Sequence, residues 1–276
     1  VSIVLEVSSR YVGLVVKPRG RRPSRDVREY IAIVVVKERV KWSLRLAEAE
    51  LSYRILGERV DHSVIHYWEA RLREAGVLEA ILEEIGRIIE SRLSYRYSVL
   101  DWTEITTWSK ENVMLHVTAR ISEDTVYPVG AYVSYSGESV AEEVLNALPP
   151  GRRLLMMDSY YDSNKAIRIA KETGYIPLVR PHNRRDRGYY RRRSRKLFGV
   201  LADNYRYRPR GESTFGSIIN EFGDRMKTRR NDTTATRIIA RLIAHAAKIL
   251  IRIKKAITEF LDTYVGPVPL FKAYTY

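Results

Sequence analysis

A change of hydrophobic period at Tyr95 divides the chain into two parts. Ahead of it the pattern is helical: residues 26–56 read as mostly helix and residues 75–93 as an amphipathic helix. Behind it, Ser98–Thr106, Met114–Ile121 and Thr125–Ser136 are rich in Val, Thr, Tyr and Trp and are separated by short polar turns. Branched and aromatic side chains suit a pleated, half-buried surface, so these segments predict three successive strands of an antiparallel meander. A helix over Glu138–Leu148, stopped by Pro149-Pro150-Gly151, is expected next. A buried strand over Leu154–Asp158, a helix over Ser163–Thr173 closed by Gly174, and a strand over Ile176–Val179 follow. Beyond a basic loop, Gly211–Phe222 and Thr234–Tyr264 read as helices. The succession predicts an α/β fold with a mixed sheet flanked by helices, over residues 95–276, behind an all-α region over residues 1–94.

Within the helical part, residues 1–18 suit a short strand pair or a poorly ordered end. Residues 17–25, Lys-Pro-Arg-Gly-Arg-Arg-Pro-Ser-Arg, read as a proline-broken basic linker, or as an arm for an AT-rich minor groove. A turn at Gly57-Glu58-Arg59-Val60 precedes Asp61, an N-cap for a helix running through Trp68 and Leu72. Helix, short turn, helix over about residues 43–73 is the helix-turn-helix pattern of DNA-reading units, and it is also that of a plain helical hairpin. In the first case the second helix presents His62, Ser63, His66, Tyr67 and Arg71. His62 and His66 stand four apart, a metal-ligand spacing, but no third ligand is in view and zinc is not expected.

The charge is uneven. Lys and Arg number 48 against 33 acids, a net +15. Twelve basic residues lie between Arg180 and Arg210 against the two acids Asp186 and Asp203. Tyr189, Tyr190, Tyr205 and Tyr207 are interleaved with them. Guanidinium groups fork onto phosphate oxygens and rings stack on bases, so Arg191, Arg192, Arg193 and their neighbours form a candidate nucleic-acid surface with steep salt dependence. The plain alternative is a solvated basic loop. The absence of cysteine excludes disulfides, thiol nucleophiles and thiolate metal sites. No membrane span is expected: Ile31–Val36 is too short, and Ile238–Ile253 is broken by Arg241, Lys248 and Arg252. Val1–Val16 carries Glu6 and Arg10 and does not read as a secretory leader. The lack of Cys and Gln beside abundant Arg, Glu, Ile and Val suits a thermophile.

Three acids stand in costly settings. Asp101 lies in the first strand of the meander, Asp158 ends the apolar run Leu154-Leu155-Met156-Met157, and Glu212 shares a helix face with Phe215 and Ile219. A carboxylate in such a place is expensive unless paired or metal-bound. Together the three would make an oxygen-only site suited to Mg²⁺ or Mn²⁺. Separately, each has an ordinary explanation: Asp158 as a cap, Asp101 as the partner of an arginine, Glu212 as an acid in the first turn of a helix.

Met157-Asp158-Ser159-Tyr160-Tyr161-Asp162-Ser163-Asn164 resembles the second-aspartate motif of the DDE transposases of prokaryotic insertion sequences. Tyr205, Arg208 and Glu212 fit the family's signature around its third acid, in which Tyr, Arg and Glu are followed by a basic residue. Ile219 stands where that basic residue is expected, and Arg225 or Lys227 is the substitute within reach. Leu100-Asp101-Trp102-Thr103 is similar to the first-aspartate motif. The resemblance covers roughly Ser98 to Tyr264 and implies a ribonuclease-H-like catalytic domain. It further implies metal-dependent cleavage at transposon ends and strand transfer, with Asp101, Asp158 and Glu212 holding two Mg²⁺ or Mn²⁺ ions about 3.5–4 Å apart. Tyr205, Arg208 and Arg210 would position DNA, Arg191–Arg193 would grip its backbone, and Ser63, His66 and Tyr67 would read sequence. The partners implied are the element's terminal inverted repeats, target DNA and at least one further copy of the chain, in the nucleoid of a prokaryotic cytoplasm; the composition would suit a thermophilic archaeon among other sources.

Two other readings stay open at this point. One is a DNA-binding protein descended from a transposase and without catalysis. The other is a ribonuclease-H-like nuclease that cuts branched or hybrid nucleic acid by structure. The apolar stripe Ile238, Ile239, Leu242, Ile243, Ala246, Ile249, Leu250 and Ile253 reads as core packing of the last helix, with dimerisation second.

Overall fold

The computed structural model of the 276-residue chain describes residues 1–15, 23–109, 112–135, 140–183 and 187–264. Most of the basic linker and part of the helix expected at 138–148 therefore lie outside the described residues.

The first half is helical, and its helices start where side chains can accept from free N–H groups. α1 (Ser2–Ser8) and α2 (Val12–Val15) replace the expected strand pair, because Val4, Val7 and Val15 bury against the helices that follow. Asp26 caps α3 (Val27–Arg39), accepting from Arg28 N–H at 2.9 Å. α3 ends in a Schellman motif: Lys41 N–H donates to Glu38 O and Trp42 N–H to Lys37 O. The left-handed residue such a motif requires is usually glycine, but here it is Lys41, at φ 59°. α4 (Leu44–Leu46), a π turn (Ala47–Leu51) and α5 (Ser52–Leu56) form one irregular helical stretch. Asp61 caps α6 (His62–Glu74) as expected, accepting from Ser63 N–H at 2.7 Å, and α7 (Val77–Glu90) leads to the sheet.

The strands fall close to the expected places: β1 (Tyr97–Thr107), β2 (Asn112–Ile121), β3 (Val126–Tyr135), β4 (Leu154–Met157) and β5 (Ile176–Val179). The sheet order is β3-β2-β1-β4-β5, antiparallel across the meander and parallel from β1 to β4 to β5. A two-residue strand, β6 (Arg225–Met226), pairs with the far end of β1. α8 (Ala141–Asn146) and α9 (Asn164–Glu172) pack with Leu100, Leu155 and Met157 on one face. On the other face, α11 (Arg208–Phe222) and α12 (Asn231–Tyr264) join the N-terminal helices in one apolar cluster, in which Ile31, Leu72 and Ile85 sit with Val113, Val133 and Ile239. This is a mixed, helix-flanked sheet behind an N-terminal helical region, as the pattern of periods predicts. No helix among the described residues is long and apolar enough to cross a membrane.

The basic stretch is not a loop. Tyr189–Leu201 is α10, and a 3₁₀ turn at Ala202–Tyr207 runs on into α11. The helix is fixed by groups far away in sequence. Asn164 Oδ1 accepts from Tyr190 N–H at 2.9 Å, serving as its N-terminal cap. Asp162 accepts from Arg191 Nε at 2.9 Å and Nη2 at 2.7 Å.

One further buried charge cluster joins the two halves. Lys37 and Glu69, both fully buried, are 3.0 Å apart. Glu38 completes the set with Lys37 and Arg241, and Arg237 reaches Glu69 at 3.0 Å.

Candidate active site

Backbone register brings two of the acids together. Leu100 of β1 is paired with Met157 of β4 in a parallel ladder, so Asp101 and Asp158 are the next residues along adjacent strands. Side chains alternate across a sheet, so Asp101 shares a face with Val99, and Asp158 with Met156. That is the face on which α11 begins. At Gly211 a Cβ would stand 2.7 Å from Val99 Cγ1, so only glycine lets the first turn of α11 settle on β1.

This close approach delivers Arg208 to the acids. Its guanidinium donates to Asp101 Oδ1 at 2.8 Å and to Glu212 Oε1 at 3.1 Å. Asp101 Oδ1 also accepts from Trp102 N–H at 3.0 Å. Asp158 caps the 3₁₀ turn Ser159–Tyr161, accepting from Ser159 N–H at 2.7 Å. Burial works against the charge on Arg208, but Asp101, Tyr205, Asp158 and Glu212 together outweigh it and raise its pKa. All three acids therefore act on one guanidinium. Burial pushes the carboxyl of Asp101 up, Arg208 and the Trp102 N–H oppose this, and the charge of Glu212 adds to it. Arg208 Nε is buried and has no hydrogen-bond partner, which leaves a donor for an anionic oxygen.

Tyr205 lies at the end of β4, its hydroxyl donating to Met157 O at 3.1 Å. Burial, reinforced by Asp158 and Asp101, pushes its phenol up to about 12, so it stays a neutral donor. Behind the site, His116 Nδ1 is 2.7 Å from the hydroxyl of Tyr161 and Nε2 is 3.2 Å from Ser134 Oγ. Burial lowers the pKa of His116 to about 4, so the ring is neutral and braces the turn after Asp158. Sequence reading missed His116 and Tyr161, and it missed the bracing by Asp162 and Asn164. The available signal was that Asp162 and Asn164 belong to the same motif as Asp158.

Other expected residues are placed differently. Glu212 is exposed, not on the inward face of α11, which is carried by Gly211, Thr214, Phe215, Ile218 and Phe222. The helix starts three residues earlier than expected, and Gly211 sets its phase. Arg191 is buried against Asp162, whereas Arg192 and Arg193 are exposed. Arg210 donates to Glu123 O at 2.9 Å. On α6, Ser63 and Tyr67 are exposed and His66 is half-buried. His62 is half-buried, and its Nδ1 lies 2.7 Å from Glu48 Oε2, while Arg59 Nε donates to the other carboxylate oxygen at 2.7 Å.

As a cation site the three acids fit. They are hard oxygen donors, and a cationic side chain already stands among them. With Arg208 between them they do not close to within 4.8 Å of one another, as Glu48, Asp61 and His62 do among the described residues. In that second group Glu48 is already covered by Arg59 and His62.

The sheet order, with two acids side by side on neighbouring parallel strands and a third on the helix packed across them, defines a ribonuclease-H-like α/β domain. A family model described as the transposase DDE domain matches residues 96–246, and the chain belongs to that family. Divalent metal use and a DNA substrate come with the family. No curated protein and no solved structure matches the chain.

Proposed function

We propose that this chain is a DNA transposase that cuts at the ends of its element and joins the freed ends to target DNA. The observation that carries the reading is the pairing of Asp101 and Glu212 with Arg208, with Asp158 the next residue along the strand beside Asp101, inside the segment matched by the transposase family. Asp101, Asp158 and Glu212 would hold Mg²⁺ or Mn²⁺, two ions in the full reaction. When bound, such ions activate water or a 3′-hydroxyl and neutralise charge on the leaving oxygen. Phosphodiester transfer needs alignment and charge neutralisation more than a protein nucleophile, which suits a site without Cys, Ser or His dyads.

The chain's own residues do the rest. Arg208, with its unpartnered Nε, turns from the acids toward the scissile phosphate and holds it by a charge-assisted bond. Tyr205, neutral and tied to the end of β4, keeps the 3₁₀ turn before Arg208 against the acid-bearing strand. The exposed Arg192 and Arg193 hold the DNA backbone, with Arg191 anchoring their helix to the loop after β4. Arg210 braces the β2–β3 turn at the edge of the site. Ser63, His66 and Tyr67 on α6 read the terminal repeat. The working place of such an enzyme is the cytoplasm, at the nucleoid, as a dimer or larger synaptic assembly.

The test is cleavage of labelled DNA carrying the gene's own flanking repeats, with and without Mg²⁺ or Mn²⁺, by the intact chain and by Asp158→Ala. Metal-dependent cuts at the repeat boundary that vanish in the variant support the reading. Binding without cutting in either protein would sink catalysis and leave a DNA-binding protein.

A further inference from the structure

At the opposite end of α11 from the acids lies a cleft of about 640 Å³. Its walls come from four regions remote in sequence: the α3–α4 turn, His62 at the start of α6, the segment from the end of α11 through β6, and α12. Six cationic residues line it: Lys41, Arg45, Arg225, Lys227, Arg237 and Arg241. Its one carboxylate, Glu38, is already covered by Lys37 and Arg241. Arg237 is likewise held by Glu69. Lys41, Arg45, Arg225 and Lys227 are exposed, and no ion pair engages them among the described residues. Four like charges around one concavity repel one another, and they focus a positive potential into it.

Lys41 carries a second mark. It holds the left-handed position of the Schellman motif, where glycine is relaxed and a side chain is strained. A lysine there complements the negative end of the α3 dipole at the expense of backbone strain, and the same charge lines the cleft. Arg225 and Lys227 are the basic residues nearest the signature position taken by Ile219, and here they line the same cavity as Lys41.

We propose that this cleft is a binding site for the phosphodiester backbone of DNA, held by Lys41, Arg45, Arg225 and Lys227. From Arg208 to Phe222 the axis of α11 rises about 21 Å, roughly six steps of a duplex. The backbone gripped here is therefore that of the DNA flanking the scissile phosphate. The proposal rests on the reading of the chain as a DNA enzyme, and it adds to α10 a second binding region, which takes in Arg45 from the start of the expected helix-turn-helix and joins it to Lys41, Arg225 and Lys227.

The experiment titrates the full chain against a labelled mixed-sequence duplex of about 40 base pairs between about 50 and 200 mM salt. Each phosphate deprived of its cationic partner should flatten the slope of log K against log salt by about 0.9. The variants are Lys41→Gly, the double variant Arg225→Ser with Lys227→Ser, and, as a comparison, Arg192→Ser with Arg193→Ser. Lys41→Gly should melt at or above the wild-type temperature, because glycine relaxes the turn, yet bind DNA more weakly and with a shallower slope. The Arg225 and Lys227 double variant should flatten the slope by about 1.8, the equivalent of two phosphates. If both cleft variants keep the wild-type slope while the Arg192 and Arg193 variant flattens it, the cleft proposal is overturned and the DNA reading stands. If the wild-type chain shows no salt-dependent binding to duplex, both fall together.

Discussion

Two charge clusters among the described residues, one buried and one reaching the surface at Glu212, differ in balance. Where α3, α6 and α12 meet, Lys37, Arg237 and Arg241 face Glu38 and Glu69, and each carboxylate is bridged by at least two cations. Where β1, β4 and α11 meet, the guanidinium of Arg208 pairs with Asp101 and Glu212, and the charge of Asp158 acts on it from the end of β4. The first cluster is closed: every carboxylate has its countercharge, and the result is a lock between the N-terminal helices and α12. The second carries an excess of about two negative charges, matching a divalent cation. What separates the two is carboxylate charge without a paired cation, which the first cluster lacks and the second retains.

The largest effect that would break this comparison comes from the closed cluster. Glu69→Ala leaves the fully buried Lys37 with Glu38 as its one remaining carboxylate and deprives Arg237 of its main partner, so it should cost about 3–5 kcal/mol in denaturant unfolding. A loss below about 1 kcal/mol would mean that the lock carries no weight. Next comes the open cluster. Mn²⁺ at about 100 times its Kd should stabilise the wild-type chain by ~2.7 kcal/mol, read as a rise in melting temperature, and Asp158→Ala should show little of it. Equal stabilisation of both proteins would place the ion elsewhere, with Glu48, Asp61 and His62 the first group to examine.

The smallest effect is in pH dependence, and here the two clusters have opposite signs. Burial raises Glu38, but Lys37, Arg241 and Arg237 overcome it, so its folded pKa lies below the usual 4.5. Its contribution is present above 4.5 and is lost as pH falls through the folded value. Burial raises the folded pKa of Asp101 above 3.8, so metal-free stability declines as pH rises from 3.8 through the folded value. Glu38→Gln should therefore weaken the protein at neutral pH and spare it in acid, whereas Asp101→Asn should leave metal-free stability equal or higher at neutral pH. Denaturant midpoints at both pH values check this, and two variants moving in the same direction would collapse the distinction.

Much of the architecture was legible because period and composition agree there. The Val, Thr and Tyr runs of β1, β2 and β3 and the short apolar run of β5 announce themselves, and Asp61 caps α6 as its position suggests. The failures have one cause, which is information held in distant parts of the chain. α10 has the composition of a solvated loop, and it is a helix because Asn164 caps it and Asp162 binds Arg191. The first fifteen residues are rich in Val and Ile, yet they are helical where they pack on α3 and α7. Motif spacing picks out Asp101, Asp158, Glu212 and Arg208, and the fold sets these four near one another. The outward phase of Glu212 was not legible, because the fit of Gly211 on Val99 sets it.

The parallel register of β1 and β4 has a consequence for how this site tolerates change. Asp101 and Asp158 are neighbours because the backbone ladder from Tyr97↔Leu154 to Leu100↔Met157 counts them into place. The side chains between have no part in that counting; Val99 seats Gly211 and Ser98 accepts from buried Arg120, but Leu155 and Met156 can drift among strand-forming residues of similar bulk while the acids stay abreast. One residue gained or lost in either strand would turn an acid to the opposite face of the sheet. Such a site yields readily to substitution and hardly at all to insertion, and descendants of this chain should diverge in spelling long before they diverge in spacing.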